Sequence, residues 1–203
     1  MKQLLFGLLT TVSVIAYSCS DNASSKQKEE QAPAAQTTKE ENEEVKVVKA
    51  SFTNVDAGVA AYMKKITDNY LQIKNELIGG KAVEAASAAK GLFEAMKGFD
   101  KSQLAVDQKK VYDQYEAGLK ENAEHISQSA NEIEHQREHF ADMSEGMYAI
   151  VKAFGGGKTL YHDHCPMAKE GKGAMWLSET KEIKNPYFGE KMMECGSVEE
   201  EIQ

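Results

Sequence analysis

The stretch IEHQREHFADMSEGMYAIVKAFGGG, residues 133–157, decides the fold class. Its large apolar residues recur at steps of three and four, which is the period of a helix with one buried face. Three consecutive glycines at 155–157 then predict an abrupt end to that helix. The apolar positions are Ile133, Phe140, Met143, Met147, Ile150, Val151 and Phe154.

The same period appears in three segments upstream of this one. They cover residues 59–77, 83–96 and 111–126, and the first is followed by a Gly-Gly pair that predicts a helix stop. Four helices of this length with short connections are typical of an antiparallel bundle. The sequence therefore predicts a mostly α protein whose antiparallel four-helix bundle occupies residues 55–157.

After the three glycines the helical period disappears. Residues 158–203 favour a small irregular or β lobe, with short strands near 159–162 and 174–177. A lobe of this size has little room for a core of its own, so we expect it to pack on the bundle. Trp176 is the expected centre of that packing, and Arg137 on the fourth helix is expected to hold the lobe through carbonyls or a carboxylate.

The first residues have the character of an export signal. Lys2 precedes a largely apolar run at 4–17 that is shorter than the roughly 20 residues needed to span a bilayer, which favours a signal peptide over residues 1–18. Ala16-Tyr17-Ser18-Cys19 resembles a lipobox, which implies lipid on Cys19. The alternative is ordinary cleavage after Ser18, which would leave Cys19 as a free thiol.

These features predict a protein of the cell envelope. It would be lipid-anchored to the inner or outer membrane, with its domain in the periplasm or at the cell surface. Residues 19–54 are polar and poor in aromatic residues, so they are expected to be a disordered linker that follows the lipid. The net charge of −8 and the absence of a basic patch argue against a nucleic-acid partner.

The C-terminal lobe concentrates the side chains that bind soft or borderline metal ions. Thiolate, thioether and imidazole groups occur at 162–167 and again at 192–195. Such groups suit Cu(I) and Zn(II), and two segments of a small lobe can meet at one ion. The predicted metal ligands are Cys165 and Cys195, with His164, Met167 and Met192 as helpers and His162 and Met193 in reserve.

Two other interpretations of the cysteines stay open. With Cys19 lipidated, Cys165 and Cys195 are an even pair in an oxidising compartment, where a disulfide is permitted. A disulfide closing that loop would stabilise the lobe by roughly 3–4 kcal/mol in the chain-entropy model. The pair could also be redox-active and alternate between a metal-bound and a disulfide state. Extended backbone would place His162 and His164 on one face and Cys165 on the other.

The bundle offers a weaker candidate for a metal site. Glu132 and His135 share a helical face, as in di-iron carboxylate bundles, but the second motif that such a site needs is missing. His135 and His139 lie one turn apart and could chelate an ion. His125 has Glu121 four residues before it and Glu124 beside it. The neighbouring Glu134, Gln136 and Glu138 instead indicate a solvated polar face, which is the favoured interpretation.

Several short motifs together resemble a known family. The motifs are Tyr161 followed by Cys165-Pro166-Met167, Trp176-Leu177-Ser178, residues 185–189, and Met192 with Cys195-Gly196. They are similar to a bacterial domain-of-unknown-function family, number 3347. The resemblance implies an exported lipoprotein, since that family occurs on such proteins and fused to periplasmic adaptors of copper/silver-type efflux systems. The heavy-metal motifs of those systems continue with His-Pro, where this chain has Ala168-Lys169.

Together these features predict a periplasm-facing lipoprotein that binds a soft or borderline cation, copper foremost, for metal buffering or efflux support. Its partners would be the metal ion, components of an efflux system and, through lipid, a membrane. Ligand exchange would be its chemistry, and no catalytic residues are predicted. The alternative is a non-catalytic structural or adaptor protein of the envelope whose lobe is stapled by a Cys165–Cys195 disulfide.

Overall fold

The computed structural model describes residues 45–203. This part of the chain contains four long helices and a small mixed sheet towards its C-terminal end, so the predicted mostly α class with four helices and a β lobe is confirmed. The predicted signal peptide at 1–18 and the predicted lipidation at Cys19 lie outside the described residues. The helices are α1 (Ala57–Ile78), α2 (Ala82–Lys97), α3 (Val106–Gln128) and α4 (Ile133–Phe154).

Local sequence sets the ends of these helices. Asp56 caps α1, because its carboxylate accepts the N–H of Gly58 at 2.7 Å and that of Val59 at 3.4 Å. Gly155 follows α4 with φ of 81°, a left-handed conformation that glycine adopts without steric cost. The observed end of α4 is therefore the one that the glycine run predicts.

Each helix packs against the next one in the chain, and α4 also contacts α1. Tyr70 of α1 is fully buried, and its hydroxyl lies 2.7 Å from the hydroxyl of Ser144 on α4. The same Tyr70 oxygen accepts the backbone N–H of Leu177 at 3.0 Å. One phenol thus joins two helices and the sheet. None of the helices within residues 45–203 is both long and apolar enough to cross a membrane.

The sheet has four strands in the order β1-β4-β2-β3. The central strand β2 pairs antiparallel with β3 and with β4, and a bulge at His162/Asp163 interrupts the second ladder. The edge strand β1 runs parallel to β4. The strands are β1 (Lys46–Val48), β2 (Leu160–Cys165), β3 (Ala174–Ser178) and β4 (Ser197–Ile202).

The sequence predicts β2 and β3 but not β1 and β4. The structure differs from the predicted linker at 19–54, because β1 lies inside it and pairs with the C-terminal strand. The N–H groups of Ser51 and Phe52 then donate to the carbonyls of Lys152 and Ala153, at 3.0 and 2.8 Å. A three-residue strand has no periodicity of its own, so only its distant partner identifies it.

Arg137 joins the lobe to the helices, as the sequence predicts. Its side chain is 9% exposed, and its Nε donates to the carbonyl of Pro186 at 2.9 Å. Nη2 donates to the carbonyl of Leu77 at 3.1 Å, and Nη1 pairs with Glu134 at 2.9 Å. A single guanidinium therefore satisfies buried carbonyls on α1 and on the lobe. Trp176 is fully buried, as expected for the centre of the lobe.

Replacing Arg137 should loosen this joint. We expect Arg137→Ala to lower the free energy of unfolding by about 2–4 kcal/mol, because the buried carbonyl of Pro186 loses its side-chain donor and that of Leu77 keeps only the N–H of Gly80. Arg137→Lys should recover only part of the loss, since one ammonium cannot reproduce the fork of donors. Chemical denaturation of the full chain measures both. Equal stability of Arg137→Ala and wild type would contradict this role.

Asp163 is a charged-type residue inside the lobe. Its side chain is fully buried on β2, and neither carboxylate oxygen has a hydrogen-bond partner among residues 45–203. Burial raises the pKa of Asp163 to about 8, and the ammonium group of Lys74 opposes this rise. Lys74 is itself 3% exposed and pairs with Glu179 at 2.6 Å. Asp163 is therefore mainly protonated at neutral pH in the folded protein.

This proton makes stability depend on pH. The folded state keeps the Asp163 proton while the unfolded chain loses it near pH 4, so the free energy of unfolding falls as pH rises from about 4 to about 8. We expect Asp163→Asn to remove this decline, which amounts to about 5 kcal/mol over the four pH units at about 1.4 kcal/mol each. The exposed matched control Asp107→Asn should keep the wild-type slope. Parallel pH profiles for wild type and Asp163→Asn would refute the assignment.

Candidate metal centre

Three histidines meet where α3 ends and α4 begins. His125 lies in the last turn of α3, and His135 and His139 lie one turn apart at the start of α4. The connection between the helices is only residues 129–132, which keeps the two ends adjacent. The buried Gln136 strengthens this corner, because its side-chain N–H groups donate to the carbonyls of Ala82 and Ile126 at 2.8 and 3.3 Å.

The three imidazoles form a compact group, which we call the histidine cluster. One ring nitrogen from each residue lies within 4.8 Å of the other two, a grouping found only here among the His, Cys, Asp and Glu side chains of residues 45–203. His125 stacks on His139 at 4.4 Å between ring centroids and 7° between planes. His135 stands nearly perpendicular to His139, at 4.5 Å and 80°.

These separations are close to those of a metal centre. Three nitrogens bound to one tetrahedral zinc ion at about 2.1 Å lie about 3.4 Å apart. The widest pair of the cluster therefore has to close by at most about 1.4 Å. The side chain of His135 is 41% exposed and His125 is also exposed, so both rings have room to rotate. Their exposure also gives an ion a path from solvent.

Asn122 fixes the orientation of His139. The Asn122 amide N–H donates to the carbonyl of Gly118 at 2.9 Å, which turns its Oδ1 towards the ring. This Oδ1 lies 2.8 Å from Nδ1 of His139. Because an amide oxygen only accepts, Nδ1 of His139 carries the proton and Nε2 keeps its lone pair. An outer hydrogen bond of this kind is the usual support for a metal-binding histidine.

The electrostatics of the cluster also suit a cation. Burial lowers the pKa of His139 below its ordinary value, and the charges of His125 and His135 lower it further. Asp142 and Glu138 act in the opposite direction, so two carboxylates lie close enough to affect the ring. A neutral imidazole among carboxylates is a better ligand for a divalent cation than a protonated one.

The predicted cysteine site looks different. The structure brings Cys165 and Cys195 together, with their Sγ atoms 2.7 Å apart. Two thiolates that share a zinc ion lie about 3.8 Å apart, whereas bonded sulfurs lie about 2.05 Å apart. The two cysteines are unbonded in the structure, and their separation lies between these two values, nearer to that of a disulfide. Cys165 is fully buried, and Cys195 is half-buried.

Within residues 45–203, His162 and His164 form no group of potential metal-binding atoms with the two sulfurs. His162 and His164 lie on the other face of β2, where each Nδ1 is 3.5 Å from an oxygen of Glu199. This confirms the expectation that these histidines share a face and that Cys165 faces away. Met167 is 55% exposed. Met192 and Met193 are half-buried in the segment before β4. Metal binding by these residues stays a prediction.

The histidine cluster was only partly visible in the sequence. The spacing of His135 and His139 places them on one face of a helix. His125 lies ten residues before His135 and on another helix, so spacing alone does not bring it to the same point. The signal that could have found His125 is the short connection at 129–132, because it requires the end of α3 to lie beside the start of α4.

The chain was compared with models of known protein families, with curated proteins and with solved structures. The model of the family described as Protein of unknown function (DUF3347) matches residues 66–159. This confirms the resemblance to that family. The match includes all three residues of the histidine cluster and stops before β2, so the two cysteines lie outside it. No curated protein and no solved structure shows a significant match to the chain.

The orientation of His139 can be tested without any metal. In wild type we expect the imidazole ¹⁵N shifts of His139 to show a proton on Nδ1, because Asn122 Oδ1 accepts it. Asn122→Ala should lose this preference, and Asn122→Asp should restore it, since a carboxylate also accepts. Gln114→Ala, an exposed change on the same helix, is the matched control. An unchanged His139 tautomer in Asn122→Ala would disprove the role of Asn122.

Proposed function

We propose that this chain is an exported, lipid-anchored protein that binds a borderline transition-metal cation, copper foremost, at the histidine cluster. The observation that carries this proposal is the approach of one ring nitrogen from each of His125, His135 and His139 to within 4.8 Å. Imidazole suits Cu(II), Zn(II) and Ni(II), and divalent copper binds a given nitrogen site most tightly of the three.

The packing of the helices supplies the support that such a site needs. In our proposal α3 and α4 run antiparallel, as in a four-helix bundle, and the metal sits at the end where they join. Ligands on rigid helices keep their spacing better than ligands on loops. The backing by Asn122 and the corner held by Gln136 support this view, because both fix the elements that carry the imidazoles.

The proposed chemistry is ligand exchange. Three imidazoles leave at least one coordination position of a four-coordinate ion open, and in this cluster the open side faces solvent at His125 and His135. A ligand from a partner can enter there and take the ion away. This arrangement suits metal buffering or delivery to an efflux system, and it requires no catalytic group.

Export and lipidation belong to this proposal on the sequence alone. The short apolar run at 4–17 and the Ala16-Tyr17-Ser18-Cys19 motif support them. A lipid anchor would keep the metal site near the membrane in which an efflux system works. Two acyl chains are needed for stable attachment, since a single chain binds only marginally.

A second candidate function follows from the cysteines. The 2.7 Å separation of Cys165 and Cys195 supports a lobe stapled by a disulfide, as expected of a structural or adaptor protein of the envelope. In this alternative the lobe docks a partner and the histidine cluster is a solvated surface feature. The two candidates differ in whether the metal-free protein is the working form.

Metal titration separates the candidates. The full chain is titrated with Cu²⁺ against a chromophoric chelator, and we expect one ion to bind per chain. His139→Ala should weaken this binding by more than about 100-fold, because loss of a ligand exceeds the 10–100-fold effect of losing an outer partner. His164→Ala, a half-buried histidine on the sheet, is the matched control and should bind as wild type does.

A further variant locates the ion. Cys165→Ser with Cys195→Ser should keep the wild-type affinity for Cu²⁺ if the histidine cluster is the site. Loss of binding in this double variant, with His139→Ala unaffected, would move the metal to the cysteine lobe and overturn the proposal. No binding to wild type at micromolar Cu²⁺ would leave the adaptor function as the better account.

A further inference from the structure

The two cysteines of the lobe differ in solvent exposure, and a purely structural disulfide does not require such a difference. Cys165 ends β2 and is fully buried, whereas Cys195 lies in the segment before β4 and is half-buried. Their Sγ atoms are 2.7 Å apart. One sulfur is thus reachable from solvent, while its partner is held directly behind it.

The backbone around Cys195 is fixed. Its carbonyl accepts the side-chain N–H of Asn185 at 2.7 Å, and its N–H donates to the carbonyl of Met192 at 3.2 Å. Asn185 is itself buried and anchored, because its Oδ1 accepts the N–H groups of Tyr187 and Phe188. Cys195 is therefore half-buried at a position whose backbone is held by these hydrogen bonds.

The charge of the Cys195 sulfur is also controlled by its surroundings. The neighbouring Cys165 thiol and burial raise the pKa of Cys195, and the backbone N–H of Met167 acts to lower it. On balance the pKa of Cys195 lies above its ordinary value, so the fraction of reactive thiolate increases as pH rises. A backbone donor at this position stabilises negative charge on Cys195 during exchange.

The segment that follows Cys165 is strained. Lys169 and Glu170 have φ of 50° and 59°, a left-handed conformation that is unfavourable for residues other than glycine. Two such residues in succession persist only where the surroundings hold them, and such strain is concentrated at functional sites. Here Lys169 is held by Asp142 at 2.8 Å, and Gly173 closes the turn by donating to the carbonyl of Ala168 at 3.0 Å.

We propose that Cys165 and Cys195 form a redox-active pair that undergoes thiol–disulfide exchange through Cys195. In the oxidising direction the Cys195 thiolate attacks an external disulfide, and a mixed disulfide forms while one external thiolate leaves. Cys165 then loses its proton and attacks Sγ of Cys195, which releases the second external thiol. The two cysteines together give up two electrons, and the external disulfide is reduced to two thiols.

The two redox states of the pair have different ligand chemistry. The reduced pair offers two thiols, and sulfur ligands are those that Cu(I) prefers. The oxidised pair is a disulfide and has no thiolate to bind a metal ion. This exchange goes beyond the binding of a cation at the histidine cluster, which has no cysteine, so either proposal can fail without the other.

Trypsin separates the cysteines for a direct test. Cleavage after lysine places Cys165 in the peptide 159–169 and Cys195 in the peptide 192–203, and Cys19 falls in a third peptide. The full chain is equilibrated with glutathione and glutathione disulfide at different ratios, quenched with acid and alkylated. Mass spectrometry then gives the fraction of the two peptides that is linked by a disulfide.

We expect the ratio of disulfide to dithiol to change tenfold for each tenfold change in [GSSG]/[GSH]², as mass action requires for this exchange. A pair that stays linked in every buffer is a structural staple, and a pair that stays reduced in every buffer is not a redox couple. Either result would overturn the proposal. This measurement uses wild type only, so it does not depend on how a variant folds.

Single variants test the entry through Cys195. With Cys165→Ser, glutathione disulfide should leave glutathione on the peptide 192–203. With Cys195→Ser, labelling of the peptide 159–169 should be at least about tenfold slower, since Cys165 is fully buried. Circular dichroism checks that both variants are folded. Equal rates in folded variants, or faster labelling of Cys165, would contradict entry through Cys195.

Discussion

The packing of α4 on two sides is the constraint on which the rest of the structure depends. This helix packs against α1 and α3 of the helical part and against β3 of the lobe. Twelve of its 22 residues are buried, including the polar Gln136, Arg137 and Ser144. Each of these polar side chains satisfies a carbonyl or hydroxyl on a neighbouring element. Helix α4 therefore positions both the histidine cluster and the lobe that holds the cysteines.

Local signals in the sequence account for most of the helical part. The apolar period and the glycine runs predict α1 to α4, and Gly155 marks the end of α4 correctly. The lobe was less predictable, because β1 is identified only by its pairing with β4, between residues 154 positions apart such as Lys46 and Glu200, and β4 by its pairing with β1 and β2. The sequence predicted that Arg137 holds the lobe to the helices, although the two carbonyls that it binds, those of Leu77 and Pro186, depend on the tertiary fold.

The candidate sites show the same division. Proximity of Cys165 and Cys195 was one of the arrangements that composition allowed, and the structure brings them together. The alternation of β2 separates His162 and His164 from them, as the spacing predicts for a strand. His125 could not be assigned to the histidine cluster from spacing, because its closeness to His139 is created by the turn between two helices. Local periodicity cannot reveal a site whose residues come from different secondary-structure elements.

The central claim is that His125, His135 and His139 bind one metal ion. Crystals of the full chain grown with Cu²⁺ and measured at the copper absorption edge test it most directly. The account predicts an anomalous peak about 2.0–2.2 Å from one ring nitrogen of each histidine. A peak beside Cys165 and Cys195, or a histidine cluster that holds no ion at saturating copper, would contradict it.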